Sequence, residues 1–342
     1  MKKLLTVIVP AYNMEAYIEN NLDSLCQEDV LEELEVILVD DGSTDRTGKL
    51  ADIYQSKYPN TIKAIHKQNG GHGSGINAGV KHASGLYLKV VDADDWVDQK
   101  GVRNLIDYLR IADSDVVITG FYWAYDDGSG NEQNFRRKAE IKQPFKGVIY
   151  KKRYEFDEVA DKIYVKMHGL TIRTEILKKN HIVIDENCFY VDTEFVLYPV
   201  PYIKTISFLE DFVYLYRIGR NDQSINPDRM MRYYDNYSKV LKALLNFYKQ
   251  CYEGEISCSR EKRLYIAGVI ARVVAGNIKI LLAGPQGNDS KYILKAFDDM
   301  LREDYPEIYL SNKSWPVVIL RMSKYSLYSI ASKILLMKNR RS

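Results

Sequence analysis

Through the first third of the chain, short apolar runs alternate with stretches of helical period. Residues 4–9 are almost continuously apolar, the length and composition of one strand buried on both faces. Ile18, Leu22, Leu25 and Cys26 then share one face of a helix predicted over 14–27. A second apolar run at 34–39 predicts a strand, and Leu50, Ile53 and Tyr54 mark the helix behind it. Residues 61–65 predict a third strand, followed by a glycine-rich loop at 69–75 and a helix through Ala83. The run 86–91 reads as a further strand. Val102, Leu105, Ile106 and Leu109 predict the next helix, and 116–119 the next strand. This strand–helix alternation with short links predicts an α/β fold, a doubly wound and mostly parallel sheet with flanking helices. Ligands on such sheets bind at the carboxyl ends of the strands.

The pattern weakens after residue 120. Residues 126–138 (DDGSGNEQNFRRK) read as a hairpin tip or mobile loop between strand-like stretches at 121–125 and 141–150, and 162–176 return to strand and helix. Beyond Pro227 long helical periods take over, at 233–252, 260–282 and 291–301, with breaks at Gly254 and 284–287. The expected organisation is therefore 1–226, with halves 1–120 and 121–226, followed by an α-helical C-terminal module at 227–342. The final stretch, 316–337, predicts one helix with Ile319, Leu327, Ile330, Ile334 and Met337 on one face and Arg321, Lys324 and Ser332 opposite. Lys338, Arg340 and Arg341 follow. A basic amphipathic helix of this kind either docks on its own module or lies on an anionic bilayer, so 316–341 is a candidate for peripheral membrane contact.

Composition narrows the classes. The 342 residues are 46% hydrophobic, enough for a sizeable core and for roughly two domains. Lys and Arg number 48 against 46 acidic residues, a net charge of +2, so no nucleic-acid partner is implied. Four cysteines without a CxxC pair fit free thiols of a reducing compartment. The start, MKKLLTVIVPAYN, imitates a signal peptide but ends in Pro10 with no small-residue cleavage site, and is read as a strand. No run of 18 uncharged apolar residues occurs, so no spanning helix is expected. The expected location is cytoplasmic, with peripheral attachment at the inner face of the cell membrane as the extension of that reading.

The chemistry concentrates where the strand at 86–91 ends in Asp92, Ala93, Asp94 and Asp95. Three carboxylates within four residues repel one another and resist burial without a cation. Clustered carboxylate oxygens suit Mg²⁺ or Mn²⁺, and such an ion completes its shell with water and phosphate. The residues alone therefore point to a divalent-metal site holding a diphosphate; an acidic turn capping the next helix is the alternative. Polar clusters also end the other strands, at Tyr12-Asn13 and Asp40-Asp41. Gly71, Gly73 and Gly75 do not match a dinucleotide fingerprint. Their expected job is close backbone approach to a donor phosphate or sugar ahead of a helix N-terminus.

VPAYN at 9–13, VDDGSTD at 39–45 and VDADDW at 91–96, in that order and each at a strand end, resemble the nucleotide-sugar domain of glycosyltransferase family 2. These are inverting enzymes of the GT-A fold. The resemblance is strong over 1–120 and looser over 160–225. It implies that Pro10 and Tyr12 line a nucleobase pocket and that Asp41 accepts from the base N3–H. Asp92 and Asp94 match the DxD motif, with Asp94 on the metal and Asp92 on the ribose or on the metal through water. Asp95 and Trp96 would face donor sugar or acceptor. Asn69, Gly71 and Asn77 are candidate donor contacts, whereas Tyr12 as an ordinary core aromatic and Asp40 as a turn-former are the structural readings.

The family places its catalytic base in an acidic pair, usually Glu-Asp, opening a helix well after the DxD. The matching position here is Val191-Asp192, with the Glu lost; Asp192 is the candidate general base, and Glu194 the alternative. His168 is either an acceptor or metal contact or a packed histidine, and His72 a phosphate or sugar contact or a loop residue. Many relatives carry a basic residue just before the Asn77 position; Ile76 stands there, so diphosphate charge must be met elsewhere. Arg217 and Arg220 are candidates, with a surface ion pair to Glu210 or Asp211 as the other reading of them.

The expected function is metal-dependent inverting transfer of a sugar, with Mn²⁺ or Mg²⁺. The donor would be a nucleotide diphosphate sugar, most naturally UDP-linked. The acceptor would be a hydroxyl on a cell-surface glycan, a teichoic acid or a lipid-linked chain. A non-catalytic carbohydrate- or nucleotide-binding protein on the same fold is the alternative.

Overall fold

The computed structural model describes residues 3–125, 135–219, 232–283 and 288–339, with the side chains of 283, 288–289 and 336–339 left out. The chain divides into two compact units, Met1–Asn221 and Asp222–Ser342.

The first unit is built on one ten-stranded sheet. In chain order its elements are β1 (Leu5–Ala11), α1 (Ile18–Leu25), β2 (Leu34–Asp40), α2 (Thr47–Lys57), β3 (Ile62–His66), α3 (His72–His82), β4 (Tyr87–Val90), β5 (Trp96–Val97), α4 (Gln99–Leu109), β6 (Val116–Tyr125), β7 (Arg136–Glu140), β8 (Arg153–Glu155), α5 (Phe156–Val159), β9 (Leu170–Arg173), α6 (Thr174–Lys179), α7 (Asp192–Leu197) and β10 (Thr205–Ile218). The main path runs β3-β2-β1-β4-β9-β6-β10-β5. The first four strands are parallel, with Leu5 opposite Leu34 and Tyr87, and Ala11 opposite Asp40. Every residue of β1 is buried, as its continuous apolar run requires. Because these four strands point the same way, the polar clusters after β1, β2, β3 and β4 gather on one edge of the sheet.

The second half of the sheet is mixed. β9 runs antiparallel between β4 and β6, while β6 and β10 pair in parallel. β6 continues to Tyr125 instead of stopping near 119, and β7 returns antiparallel against it. The tip at 126–134 lies outside the described residues. No strand forms over 141–150: Pro144 lacks a donor, and Ile141 and Gly147 take positive φ, of 55° and 82°, which no pleated ladder accommodates. α1 starts at Ile18 instead of near residue 14, after a turn in which the Tyr17 N–H donates to the Met14 carbonyl.

Among the described residues the second unit consists of helices: α8 (Tyr234–Glu253), α9 (Arg260–Ala283), α10 (Asn288–Asp304), α11 (Pro306–Ser311), α12 (Trp315–Met322) and α13 (Tyr328–Asn339). α9 is the core helix, with Ile266, Ala267, Ile270, Val274 and Ile278 all buried. Its segment Arg260–Leu282 is long and apolar enough by length and composition to cross a membrane, as a core helix can be; Arg272 and Lys279 interrupt it, and 61% of its most apolar stretch is buried inside the fold. The single helix expected over 316–337 is two. Lys324 and Tyr325 take positive φ between them, of 46° and 62°, and the chain turns. This break rearranges the expected faces. Ser332 is fully buried and donates to the Leu282 carbonyl, Arg321 is bound to Asp298, and Ile319, Leu327, Ile330 and Ile334 are exposed.

Candidate active site

Two acidic strand ends form the frame. At the end of β2, Asp40 and Asp41 have separate tasks. Asp40 accepts from the Ser43 N–H and meets His66 Nδ1 at 2.9 Å, the turn-forming role expected of it. Asp41 is buried. One of its oxygens accepts from Lys67 Nζ at 2.6 Å and the Gly70 N–H, and the other accepts from the Gly71 N–H at 2.7 Å. Asn69 donates to the Asp41 carbonyl. The Asp41 carboxylate thus organises the glycine-rich loop, a geometry that favours loop-holding over contact with a nucleobase.

The loop explains its glycines. Gly71 sits at φ 82°, where an L side chain is strained. A Cβ on Gly73 would lie 2.1 Å from the Asp185 carbonyl oxygen. The close approach expected toward a donor phosphate is made instead to the chain's own segment 184–187. Asn77 fastens the same contact. It donates to the Ile184 carbonyl and to Glu186, and accepts from the Ile184 N–H. A side chain with all these bonds made inside the protein is a clamp, which corrects the expected donor contact. The segment it holds leads directly into α7 and Asp192.

At the end of β4, the Asp92 carboxylate meets His72 Nε2, on the first residue of α3, at 2.7 Å. Asn21 Nδ2 donates to the carbonyls of Asp92 and Asp95, tying α1 to the turn. Asp95 is buried and accepts from the Tyr214 hydroxyl and the Arg217 N–H. Burial, then the neighbouring charges of Asp94 and Asp92, hold its carboxyl well above the usual carboxylate range. Arg217 is also buried. Its Nε donates to the Asp94 carbonyl at 2.9 Å, and its guanidinium lies 4.9 Å from the ring centres of both Tyr17 and Trp96. Trp96 is buried in β5, paired with β10. Asp95, Trp96 and Arg217 therefore brace the aspartate turn from behind. Neither the acceptor-side position expected of the first two nor the phosphate contact or surface ion pair expected of Arg217 fits that burial. Arg220 lies outside the described residues.

His168 packs on Phe121, Tyr214 and Tyr216, with ring centres at 5.0, 4.9 and 4.6 Å. Its burial pushes the imidazole down to about 4, so the ring is neutral at pH 7. Ligand atoms of Asp92, Asp95 and His168 all lie within 4.8 Å of one another. His168 Nδ1 is buried with no hydrogen-bond partner among the described residues. A neutral imidazole with an orphaned nitrogen beside two carboxylates is a donor set that fits a divalent cation, Mn²⁺ better than Mg²⁺.

Asp192 is the first residue of α7 and is open to solvent. The protein crowded around its carboxyl pushes it up to about 6, with the His72 charge opposing and the Asp92 charge reinforcing the rise. For His72, burial alone would lower the imidazole; Asp92, Asp192 and Asp94 outweigh it and raise it. His72 is thus in contact with Asp92 and within the electrostatic reach of Asp94 and Asp192. Glu194 is fully buried and accepts from the Asp185 N–H at 2.7 Å, a structural assignment that leaves Asp192 as the accessible carboxylate of the pair. Pro10 is buried against Gly75, while Tyr12 is 45% exposed, which excludes the core-aromatic reading of it. Lys67, Asn21 and Tyr214 were not anticipated. Asn21 had a signal, a polar residue on the apolar face of Ile18, Leu22 and Leu25; the other two are revealed only by the tertiary fold.

The model of the family described as Glycosyl transferase family 2 matches residues 6–179. The chain is 29% identical over 272 residues to uncharacterized glycosyltransferase EpsJ of Bacillus subtilis, covering 78% of this chain and 75% of EpsJ. It is 27% identical over 223 residues to the poly(ribitol-phosphate) beta-N-acetylglucosaminyltransferase TarS of Staphylococcus aureus, covering 65% of this chain but 36% of TarS. A crystal structure of S. aureus TarS with UDP-GlcNAc superposes with a TM-score of 0.56 at 20% identity, over 99% of this chain and 89% of that one. The mannosyltransferase PcManGT of Pyrobaculum calidifontis, in complex with GDP-Man and Mn²⁺, gives 0.50 at 15% identity, over 98% and 88%. These likenesses identify the sheet as the GT-A fold.

Proposed function

This chain belongs to glycosyl transferase family 2 and is a glycosyltransferase; from that premise we propose that it carries out a metal-dependent, inverting transfer from a UDP-sugar. The acceptor is a hydroxyl of a cell-envelope glycan, teichoic acid or lipid-linked chain at the inner face of the membrane. The observation that carries this reading is the contact of His72 Nε2 with the Asp92 carboxylate at 2.7 Å. The charges of Asp94 and Asp192 act on the same imidazole, which supports a base on α7 near the cluster that ends β4.

Inversion in one step requires the acceptor oxygen to attack the anomeric carbon as the bond to the diphosphate breaks. The acceptor proton then has to go to a base. Asp192 takes it. Its carboxyl, pushed up to about 6, is ionised at neutral pH yet basic enough to accept. The exposed Tyr12 ring stacks on the nucleobase, with Pro10 behind it and Asp41 holding the loop that shapes the pocket. Asp92, with the neutral His168 beside it, would hold the cation, joined by Asp94 as the second aspartate of the DxD pattern; when bound the ion would neutralise the leaving diphosphate. His72, whose imidazole the surrounding aspartates raise, stands at the start of α3, where Ile76 supplies no charge.

Support for UDP comes from the likeness to TarS, and for Mn²⁺ from the donor set and the likeness to PcManGT. The test is a thermal-shift comparison of UDP, GDP, UDP-GlcNAc and GDP-Man with and without Mn²⁺, followed by hydrolysis of the best donor. The reading expects stabilisation by a UDP compound that needs the metal. Stabilisation by GDP compounds alone, or none by any nucleotide, would contradict it.

A further inference from the structure

The helical unit presents an apolar surface that its own packing does not use. Along α12, Trp315, Val318, Ile319 and Met322 recur at the spacing of one helical face, and all four are exposed, Trp315 at 68% and Met322 at 81%. Leu327, just before α13, and Ile330 and Ile334 on it repeat the pattern and are also exposed. The helices are held to the unit by their other sides. Val317, Leu320, Tyr325 and Tyr328 are buried, and Arg321 binds both oxygens of Asp298, at 3.1 and 2.7 Å. The apolar face is therefore surplus to folding.

Its charge surroundings identify what covers it. From Ile308 to the end of the chain there is no Asp or Glu, whereas Lys313, Arg321, Lys324, Lys333, Lys338, Arg340 and Arg341 occur. Lys313, Lys324 and Lys333 are exposed around the stripes. A second copy of the chain, docked face to face by the same patch, would bring the lysines on and beside these two helices against their counterparts, with no acid on either helix to neutralise them. An anionic lipid surface matches both features: it accepts apolar side chains to the depth of the acyl boundary and attracts the surrounding cations.

We infer that the exposed faces of α12 and α13 lie in the plane of an anionic bilayer, with Trp315 at headgroup level. This attachment is separate from the transfer chemistry and can hold or fail without it. It would keep the enzyme beside a membrane-borne acceptor.

The experiment is sedimentation of the full-length protein with phosphatidylglycerol–phosphatidylcholine vesicles and with phosphatidylcholine alone, at low and high salt. Tryptophan fluorescence is recorded in parallel. Trp96 is buried and Trp123 partly so, so a blue shift on binding reports Trp315. Binding to the anionic vesicles at low salt, weakened by salt, is expected. Ile319→Glu/Met322→Glu should lower partitioning at least about tenfold, because two apolar contacts are replaced by charge. The melting temperature and UDP-sugar hydrolysis should be unchanged. Trp315→Phe should keep binding and abolish the shift. Failure to bind anionic vesicles at low salt, or binding indifferent to Ile319→Glu/Met322→Glu, overturns the inference. So does a wild-type dimer that the same double substitution dissociates, since the face would then be covered by a second copy.

Discussion

His72 Nε2 lies 2.7 Å from the Asp92 carboxylate, joining the first residue of α3 to the aspartate that ends β4. The pair links the glycine-rich loop to the metal-type cluster, and it draws in Asp192 as well. Removing the imidazole takes from the Asp92 carboxylate its 2.7 Å partner. A charge-assisted hydrogen bond contributes about 1.5–3 kcal/mol, so His72→Ala should lower kcat/KM for donor turnover by about 10–100-fold. Steady-state kinetics at pH 7.5 with saturating Mn²⁺ measures it. Unchanged turnover would make His72 a bystander.

Gly73 packs directly on the Asp185 carbonyl, and the substitution Gly73→Ala would force α3 off the segment leading to Asp192. Overpacking of this kind costs about 1–3 kcal/mol. Gly268, within α9, is the control: nothing lies within 4 Å of a Cβ built there. Gly268→Ala should stabilise by about 0.5–1 kcal/mol through helix propensity. Thermal unfolding should therefore shift in opposite directions for the two variants, and only Gly73→Ala should impair turnover.

The protein around the Asp192 carboxyl pushes it up to about 6. Below that pH it is protonated and cannot accept the acceptor proton, so kcat/KM should fall about tenfold per pH unit on the acid side of 6. Stability moves the other way. A carboxyl raised from 3.8 in the unfolded chain to about 6 opposes folding above pH 6, and that penalty is relieved as pH falls toward 4. Asp192→Asn should thus melt no lower than the wild type at pH 8. A pH–rate profile flat between 5 and 7 would remove Asp192 from the base role.

Loss of the metal and loss of the base are separable by substitution. Asp94→Ala should abolish Mn²⁺-dependent stabilisation by UDP and leave the melting temperature of the free protein unchanged. Asp94 is partly exposed, and the turn that carries it is braced through the Asp94 main chain by Arg217. Equal UDP binding in Mn²⁺ and in EDTA by the wild type would contradict metal dependence.

Much of this architecture is legible along the chain because it is written in local periods. Residues 4–9, 34–39 and 86–91 read as strands since each is an apolar run ending in polar turn residues, and the aspartates stand out because clustered carboxylates have few structural uses. What stays hidden depends on partners distant in sequence. Arg217 looks like a surface arginine until β5 and β10 pair and enclose it between Tyr17 and Trp96. Asn77 resembles a ligand-binding amide until Ile184 arrives to take its bonds. β9 inserts antiparallel between β4 and β6, a choice made by the vacant edges of those strands and by no feature of LTIR itself. The helix at 316–337 keeps a sound apolar period across the break at Lys324 and Tyr325, so periodicity alone joins two helices into one.

A paired substitution tests Asp192 as the proton acceptor. Turnover of the UDP-sugar that gives the largest Mn²⁺-dependent stabilisation is measured for Asp192→Asn and Glu194→Gln, alongside UDP affinity and melting temperature. Asp192→Asn should lose about 10²–10⁴-fold in rate with UDP affinity close to wild type and no loss of stability. Glu194→Gln, at a fully buried carboxylate that holds the Asp185 N–H, should lower the melting temperature before it alters the chemistry. Near-normal turnover by Asp192→Asn, or a rate collapse in a Glu194→Gln protein of unchanged stability and donor affinity, would contradict the assignment.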